Sequence, residues 1–504
     1  MAATFYDLDT PLIELAGAAW TIRNAVEGVQ IFGGIGSGKT SGSGRFIALK
    51  YLNAGFGGLV LTAKPDEKET WEEYCRQTNR QDDLVILSPE HENHFNFLEY
   101  ESTSTDGRKS FVENIVQVLK TVIRASEAKA GTRNDDPFWE DSLDMLMLNI
   151  VELCLIAYGK VSVQLLYDIA QTLPKKDAPK SEGEKLNAFA KASSTASNNI
   201  TRQVLHYEES LTEEQRILLT ESPSYEEDLC EILPDARALK FVDQFFLESF
   251  FNLSDKTRSI IDFSFSGFLF SLLREPVFSL FCQHPSTVTP EDCLNGKIIL
   301  VDLPVKRYHK VGRNCQILFK YIWQRAMEKR QIKKNDRPVF LWADEAQHFL
   351  HEYDADYQAT ARSSRIATVY ISQNLPNYYA NMGGDKSNYR VKSFLGTLGT
   401  KIFHSNADIE TNRYASELIG DAYFEDTSKT AAMAGNMSLS RTRNIKLDKL
   451  IRPEDFAKLK NGGPLNSFKV EGYMHLQSHL LNGETNYLKM KFDQNYIPHP
   501  NSTS

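Results

Sequence analysis

The sequence predicts a mixed α/β protein in which a parallel sheet is interrupted by an all-α insertion. A glycine-rich loop near the N-terminus stands between a predicted strand and a predicted helix. Short apolar runs alternate with helical segments in the first and last parts of the chain, which is typical of a parallel sheet. Between them the apolar spacing is mostly helical. We therefore expect residues 1–105 and 286–504 to form one α/β domain in two parts, and residues 106–285 to form an all-α domain.

The amino-acid composition limits the classes of protein to which the chain can belong. Of 504 residues, 41% are hydrophobic and 11% are aromatic, which is enough for large buried cores and excludes bulk disorder. The formal net charge of −9 excludes a globally basic nucleic-acid binder. A local basic stripe is compatible with that charge, because net charge says nothing about distribution.

Cysteine usage and hydropathy predict a soluble, cytoplasmic protein. The six cysteines form no C-x-x-C pair and have no histidine cluster beside them, so we expect free thiols rather than a zinc site or disulfides. The N-terminal residues lack the basic segment of a signal peptide. The most apolar stretch, 145–159, is interrupted by Asn149 and Glu152, and it is too short and too polar for a membrane span.

Residues 33–40, GGIGSGKT, match the phosphate-binding loop pattern G-x-x-x-x-G-K-[ST]. Glycines let backbone N–H groups turn toward phosphate oxygens, and the helix that follows adds a favourable dipole. Lys39 can reach the β- and γ-phosphates of ATP, and the Thr40 hydroxyl can ligate Mg²⁺. The alternative is a glycine-rich turn that binds nothing, which the strand–loop–helix context disfavours. The predicted nucleotide-binding residues are Gly33, Gly34, Ile35, Gly36, Ser37, Gly38, Lys39, Thr40 and Ser41.

Apolar patterns place the other elements in chain order. Residues 12–23 indicate a short helix and an edge strand, residues 175–184 a polar surface loop, and the tail beyond Ile497 a frayed end. Strands are predicted at 28–32, 57–63, 83–87, 296–303, 339–343, 366–371 and 401–403. Helices are predicted at 41–53, 67–78, 111–125, 139–157, 241–251, 257–273 and 311–330.

Polar side chains follow two of these strands. Asp344 and Glu345 come directly after the strand at 339–343. A carboxylate there can hold Mg²⁺ through water, and Glu345 could polarise the attacking water. Gln373 closes the strand at 366–371, where it could sense the γ-phosphate. The alternatives are a strand end with a helix cap, and an amide that caps its own strand.

Arginines between these motifs are candidates for a second kind of contact. Arg362 or Arg365, offered across a subunit interface, would stabilise charge on the γ-phosphate in the transition state. We favour Arg362, and a solvated arginine on a helix face is the alternative for each. Five basic residues in loop-like stretches could contact DNA phosphates, with a solvated surface as the alternative reading. They are Arg390, Lys392, Arg441, Arg443 and Lys446.

The ordered set of motifs resembles the conjugative coupling proteins of type IV secretion systems, the TraG/TraD-like ATPases of the FtsK–HerA clade of DNA-pumping motors. Two further features are similar to that family. Phe138-Trp139 stand at the start of a long predicted helix, and the segment 415–420 follows Asn412. The residues that carry the resemblance are GGIGSGKT (33–40), FLWADEAQHF (340–349), ARSSR (361–365) and ISQN (371–374).

The resemblance implies a RecA-like P-loop NTPase domain with an inserted all-α domain. It also implies a homo-oligomeric ring, most often a hexamer, with ATP and Mg²⁺ at subunit interfaces and DNA gripped in the pore. In that family an arginine finger commonly lies eleven residues before the motif glutamine, which is the spacing of Arg362 and Gln373. The implied function is an ATP-driven coupling protein that engages DNA in a relaxosome and feeds it to a secretion channel. A relaxase and channel proteins are the implied partners.

Two departures separate this sequence from the family pattern. Many relatives begin with transmembrane helices, whereas this sequence begins close to the nucleotide domain, so membrane attachment would require a partner. Relatives also often have Asp-Pro-Lys-Gly-Glu after the second strand. This chain has Ala63-Lys64-Pro65-Asp66 there, which leaves the role of that stretch open.

Three other functions are compatible with the motifs. The first is a HerA-like motor for DNA processing or phage defence that works with a nuclease. The second is a nucleotide-gated adaptor that recruits substrate proteins and barely hydrolyses ATP, which the Asp344-Glu345 pair disfavours. The third is a small-molecule P-loop kinase, which the chain length and the helical insertion disfavour.

Overall fold

The computed structural model describes residues 6–15, 17–103, 108–130, 137–174, 186–382, 387–434, 436–477, 479–481 and 483–498. The chain divides into two compact units. The sheet unit comprises Met1–Ile86, Pro290–Gln316 and Trp323–Ser504. The helical unit comprises Leu87–Thr289 and Ile317–Ile322.

A nine-stranded sheet organises the sheet unit, in the order β13-β12-β9-β3-β8-β7-β4-β6-β5. Five neighbouring pairs in its centre are parallel, namely β3 with β8 and β9, β4 with β6 and β7, and β7 with β8. Two antiparallel strands extend it beyond β9. The strands are β1 Pro11–Leu15, β2 Ala18–Thr21, β3 Val29–Phe32, β4 Gly57–Leu61, β5 Leu84–Leu87, β6 Ile298–Val301, β7 Val339–Ala343, β8 Ile366–Ser372, β9 Thr400–Phe403, β10 Asp421–Ala434, β11 Asn436–Lys449, β12 Lys469–Leu476 and β13 Tyr487–Asp493.

Helices connect the parallel strands and form most of the helical unit, as the apolar spacing predicts. The helices are α1 Ile22–Val26, α2 Arg45–Asn53, α3 Glu67–Gln77, α4 Phe97–Thr103, α5 Arg108–Ala130, α6 Pro137–Tyr158, α7 Val163–Gln171, α8 Ala188–Ser210, α9 Glu213–Thr220, α10 Tyr225–Ile232, α11 Pro234–Gln244, α12 Asp255–Leu272, α13 Val277–Phe281, α14 Val305–Lys329, α15 Asp354–Ala361, α16 Leu375–Met382, α17 Ser387–Gly396, α18 Ile409–Ile419 and α19 Pro453–Phe456. The mixed α/β architecture predicted from the sequence is confirmed.

Strands β3 and β7 are buried along their whole length, as parallel strands covered on both faces should be. An aromatic layer holds β7 in place from one side. Trp71 of α3 stacks on Phe340 at 5.6 Å between ring centroids and meets Trp342 edge-on at 5.4 Å. Burial of each ring stabilises the fold by about 1.5–3 kcal/mol. This packing fixes the carboxyl end of β7, where Asp344 and Glu345 lie.

Several elements differ from the sequence prediction. The 12–23 segment forms a two-stranded hairpin, β1 and β2, followed by the short helix α1. The predicted helix at 41–53 begins with a π-helical turn, Thr40–Gly44, before α2. The prediction missed the long hairpin of β10 and β11 and the sheet extension by β12 and β13. The surface loop predicted at 175–184 lies outside the described residues.

The five basic residues expected in loop-like stretches lie in regular elements instead. Arg390 and Lys392 are in α17, and Arg441, Arg443 and Lys446 are in β11. The prediction of loops was wrong because polar residues also occur on the exposed faces of helices, and because polar sequences can form a strand when a paired strand supplies the backbone hydrogen bonds.

Across the described part of the chain, no single helix has the length and apolar character needed to cross a membrane. The helices α6 and α7 have sufficient length and apolar character only when they are taken together, and this pair is bent by 113°.

Candidate active site

The carboxyl ends of four neighbouring strands, β3, β8, β7 and β4, meet at one edge of the sheet. The register pairs Phe32 with Ser372, Ala343 with Tyr370 and Leu61 with Ala343. The four strands therefore end almost level with each other. The residues that follow them are the glycine-rich loop, Gln373, the Asp344-Glu345 pair and the segment after β4.

The glycine-rich loop has the backbone that a phosphate cradle requires. Gly36 and Gly38 have φ of +69° and +83°, a region that favours glycine. A Cβ atom on Gly38 would lie 2.5 Å from Cγ2 of Val470, so the close approach of the loop to β12 also requires glycine there. The N–H groups of Gly33 and Gly34 donate to the carbonyls of Ser372 and Ser405, which anchors the start of the loop.

The loop carries donors for which the described chain supplies no acceptor. Within the described chain, no acceptor pairs with the backbone N–H groups of Gly36, Gly38 or Lys39. The Ser37 hydroxyl is buried and likewise has no hydrogen-bond partner there. Such donors fit the oxygens of a phosphate group, and the loop is a suitable cradle for a nucleotide.

The remaining predicted loop residues lie at its outer edge. The Ile35 side chain is 88% exposed. The Ser41 hydroxyl accepts a hydrogen bond from Nε2 of Gln494 at 2.7 Å. Behind the loop, the Ser43 hydroxyl lies 2.7 Å from Nε2 of His404. Burial lowers the pKa of His404 to about 4, so the ring is neutral and supports the loop as a hydrogen-bonding group.

Thr40 and Asp344 form a pair of oxygen ligands suited to Mg²⁺. The Thr40 hydroxyl donates to Oδ2 of Asp344 at 2.9 Å, and Oδ1 of Asp344 accepts the N–H of Glu345 at 2.9 Å. The Asp344 side chain is almost fully buried. A hydroxyl and a carboxylate beside a phosphate cradle are the donors that Mg²⁺ prefers, so the two residues predicted for the metal fit it.

Glu345 is held in an unusual conformation beside the loop. Its backbone is left-handed, with φ of 50°, which turns its side chain toward Lys39. Its carboxylate accepts a hydrogen bond from Gln347 at 2.7 Å and lies 3.9 Å from Nζ of Lys39. Burial raises the pKa of this carboxyl, but the Gln347 hydrogen bond and the charges of Lys39 and Lys64 outweigh it and leave the pKa below its ordinary value. Glu345 is therefore an ionised acceptor.

Gln373 joins the same network from β8. Its Nε2 lies 3.4 and 3.5 Å from the two carboxylate oxygens of Glu345. Its carbonyl accepts from Asn406 at 2.7 Å, and the neighbouring Ser372 hydroxyl donates to Gln347 at 2.9 Å. These hydrogen bonds connect Glu345 to the end of β8 and to the segment after β9, so a movement of Glu345 would affect both. The structure brings together Lys39, Thr40, Asp344, Glu345 and Gln373, as their positions after parallel strands predict.

Two further residues belong to this cluster and are not among those predicted from the sequence, Lys64 and Glu67. Nζ of Lys64 lies 3.1 Å from Oδ2 of Asp344 and 3.8 Å from Oε1 of Glu345. Oε2 of Glu67 accepts the N–H groups of Ala63 at 2.6 Å and Lys64 at 3.3 Å. Burial, followed by the charge of Asp344, raises the pKa of Glu67. The available signal was that Lys64 also follows a buried parallel strand.

The two candidate arginines have different surroundings. The Arg362 side chain is 60% exposed and lies 3.4 Å from Glu27. The Arg365 side chain is 18% exposed, and its guanidinium donates to the carbonyl of Tyr6 at 2.6 Å and to the Asp336 carboxylate at 3.0 Å. Arg365 therefore ties the N-terminal segment to the segment before β7, whereas Arg362 is accessible.

Because of this difference, Arg365 should contribute to the stability of the fold and Arg362 should not. Replacing Arg365 with alanine removes three hydrogen bonds, to the carbonyls of Tyr6 and Asp336 and to the Asp336 carboxylate, which should cost about 1.5–3 kcal/mol. We expect the thermal unfolding midpoint to fall by roughly 2–5 °C. Arg362→Ala is the matched control and should leave the midpoint unchanged, because its single ion pair is exposed. Equal midpoints for the two variants would contradict the assignment.

Comparison with known proteins agrees with this arrangement. Residues 338–461 match the family described as the TraM recognition site of TraD and TraG. No curated protein sequence matches the chain.

Solved structures of one protein share the fold over almost the whole chain. The bacterial conjugative coupling protein TrwBdeltaN70, in its unbound monoclinic form, is 13% identical with a TM-score of 0.56, and the match covers 97% of this chain and 90% of that one. The plasmid coupling protein TrwB in complex with ADP and Mg²⁺ is 12% identical with a TM-score of 0.56, covering 96% and 89%. TrwB with a non-hydrolysable ATP analogue is 12% identical with a TM-score of 0.54, covering 96% and 89%.

The matched domain includes β7, β8 and β9, and hence Asp344, Glu345 and Gln373. The fold match adds the loop at 33–40 and the helical unit. Residues 338–461 therefore match the TraD and TraG recognition-site domain, and the chain shares the fold of the solved TrwB structures.

Proposed function

We propose that this chain is an ATP-driven, DNA-translocating motor that acts as a conjugative coupling protein, engaging DNA and feeding it to a type IV secretion channel. One observation carries the proposal. Two lysines and two carboxylates lie together at the edge of the sheet where the phosphate cradle lies. Lys39 is within 4 Å of Glu345, and Lys64 is within 4 Å of both Asp344 and Glu345. The TraD and TraG domain match and the TrwB fold support the biological role.

Each residue of the site has a role that follows from its contacts. Lys39 neutralises phosphate charge, and the loop residues 33–41 hold the nucleotide through backbone N–H groups. Thr40 and Asp344 hold Mg²⁺, which neutralises charge on the β- and γ-phosphates when it is bound. The ionised Glu345 accepts a proton from the attacking water, and Gln373 senses the γ-phosphate through its contact with Glu345.

A closed ring would complete the site. We propose a homo-oligomer, most simply a hexamer, in which the exposed Arg362 of one subunit reaches the nucleotide of its neighbour. Head-to-tail contacts in a closed ring allow this arrangement. The exposure of Arg362 supports it over Arg365, whose guanidinium is engaged within its own chain. The division into an α/β domain at 1–105 and 286–504 and an all-α domain at 106–285 is part of the same proposal.

DNA would be held through its backbone, without sequence preference. Lys392, Arg443 and Lys446 are exposed and Arg390 is partly buried, which supports a role for these basic residues in phosphate contacts. The side chain of Arg441 lies outside the described residues. A relaxosome protein of the TraM kind is a further proposed partner, because the matched domain is described as a TraM recognition site. A relaxase and channel proteins would complete the set of partners.

ATP hydrolysis by the purified protein, with and without single- or double-stranded DNA, tests this function. We expect DNA to stimulate turnover several-fold and the stimulation to fade between about 50 and 200 mM salt, as contacts to the DNA backbone are screened. Turnover that is indifferent to DNA at every salt concentration would contradict the motor. Absence of turnover under all conditions would favour the adaptor, and a nuclease as the stable partner would favour the HerA-like alternative.

A further inference from the structure

Lys64 occupies a crowded position among the carboxylates of the candidate active site. Its ammonium lies 3.1 Å from Asp344, 3.8 Å from Glu345 and 4.0 Å from Glu67, and its side chain is 26% exposed. Pro65 follows it, and the backbone N–H of Lys64 donates to Glu67 at 3.3 Å, so the backbone of this segment is fixed while the long side chain can move.

The contact with Asp344 conflicts with the role of that residue as a metal ligand. One oxygen, Oδ2, receives both the Thr40 hydroxyl at 2.9 Å and the Lys64 ammonium at 3.1 Å. A divalent cation held by Thr40 and Asp344 would face the ammonium directly at this oxygen. Since like charges repel and this site is largely buried, the metal ion and the ammonium would destabilise each other at this oxygen.

Glu67 offers the ammonium a second position. Its Oε2 is occupied by the N–H groups of Ala63 and Lys64. Its Oε1 is buried and has no hydrogen-bond partner among the described residues, although it is 4.0 Å from Nζ of Lys64. A small rotation of the Lys64 side chain would satisfy this oxygen and release Asp344.

We propose that Lys64 is a positioning residue that fills the metal position in the nucleotide-free site and transfers from Asp344 to Glu67 when Mg²⁺ binds with the nucleotide. This inference rests on the proposed function, because it takes Thr40 and Asp344 as the metal ligands. It assigns Lys64 two tasks. It balances the negative charge of the carboxylates when no nucleotide is bound, and it makes metal binding depend on the nucleotide phosphates.

Divalent-cation binding without nucleotide is the direct test. Lys64→Met should bind Mn²⁺, followed by electron paramagnetic resonance, at least about ten-fold more tightly than the unmodified protein. MgCl2 should also raise the thermal unfolding midpoint of the variant and leave that of the unmodified protein unchanged. Lys64→Arg keeps the charge and should behave as the unmodified protein. Lys458→Met, which removes an exposed lysine paired with Asp455, is the matched surface control.

Two more variants make the test specific. Asp344→Asn in the Lys64→Met background should abolish the gain in Mn²⁺ affinity, because the released ligand is lost. Glu67→Gln should weaken Mn²⁺ binding in the presence of ADP by roughly ten-fold, because an amide cannot become the charged partner of the ammonium. Equal Mn²⁺ affinity of Lys64→Met and the unmodified protein would overturn the inference, and unchanged binding by Glu67→Gln would overturn the role of Glu67. Lys64→Gln replaces Lys64→Met if the latter fails to fold.

These measurements separate the inference from the proposed function. They read metal affinity and unfolding, and they require neither DNA nor turnover. A protein that binds Mn²⁺ as expected but never hydrolyses ATP would support the role of Lys64 and contradict the motor. A DNA-stimulated ATPase in which Lys64→Met leaves Mn²⁺ affinity unchanged would support the motor and contradict the role of Lys64.

Discussion

Replacing Lys39 with alanine should reduce ATP turnover by about two to three orders of magnitude while the fold stays intact. The Lys39 side chain is nearly buried at the end of the phosphate-binding loop, and its ammonium lies 3.9 Å from Glu345. Its loss removes the positive charge nearest to the β- and γ-phosphates and leaves Glu345 less compensated. We expect nucleotide binding and turnover to fall together. Phosphate release, binding of a fluorescent ATP analogue and far-ultraviolet circular dichroism measure the three properties.

Glu345→Gln separates chemistry from binding. The amide keeps the size of the side chain and removes the acceptor for the water proton, so turnover should again fall by about two to three orders of magnitude while nucleotide binding is retained. Glu454→Gln, in the first turn of α19, is a matched control at the protein surface. Normal turnover in purified Lys39→Ala or Glu345→Gln would contradict the assignment of the site.

The parts of the site that were predictable share one local signature. A buried parallel strand reads as an apolar run, and the polar residue that follows it must lie at the carboxyl edge of the sheet. Asp344, Glu345 and Gln373 were found in this way, and the loop at 33–40 has its own pattern. The mixed α/β architecture follows from the same alternation of strands and helices.

Lys64 could not be assigned from this local signature. It also follows an apolar run, β4, but its role depends on which strand lies beside β4. The pairing of Leu61 with Ala343 places Lys64 next to Asp344, and this neighbour is 280 residues away in sequence. No local pattern encodes the order of strands in a sheet, so the departure from the family motif left the role of this stretch open.

The missed strands have a related cause. Strands β10 and β11 pair with each other in a two-stranded sheet, and each contains a long polar stretch, 425–430 in β10 and 440–444 in β11. The strands β12 and β13 extend the sheet in the antiparallel direction, where one face can remain exposed. Hydrophobic patterns detect burial through apolar runs. β13 is mostly half-buried or exposed, and the largely buried β12 is interrupted by Glu471 and His475, so neither strand has a continuous apolar run.

Arg362→Ala should reduce turnover by about a thousand-fold or more without loss of nucleotide binding or stability. The side chain is exposed and makes one ion pair, with Glu27, so its removal should not disturb its own subunit. The expected loss has a different origin. An arginine that enters the neighbouring site stabilises charge that develops on the γ-phosphate only during transfer, and binding of the ground state does not need it.

A mixing experiment distinguishes an arginine acting between subunits from one acting within a subunit. In a ring assembled from Lys39→Ala and Arg362→Ala chains, an Arg362→Ala subunit keeps Lys39, and a Lys39→Ala neighbour still supplies Arg362. Random assembly of equal amounts should complete on the order of a quarter of the sites. Turnover should therefore rise above that of either variant alone. Lys39→Ala mixed with Glu345→Gln is the matched control, because neither subunit then contains an intact site. Recovery in the first mixture alone would establish the contribution between subunits, whereas equal inactivity of both mixtures would place the effect of Arg362 within its own chain.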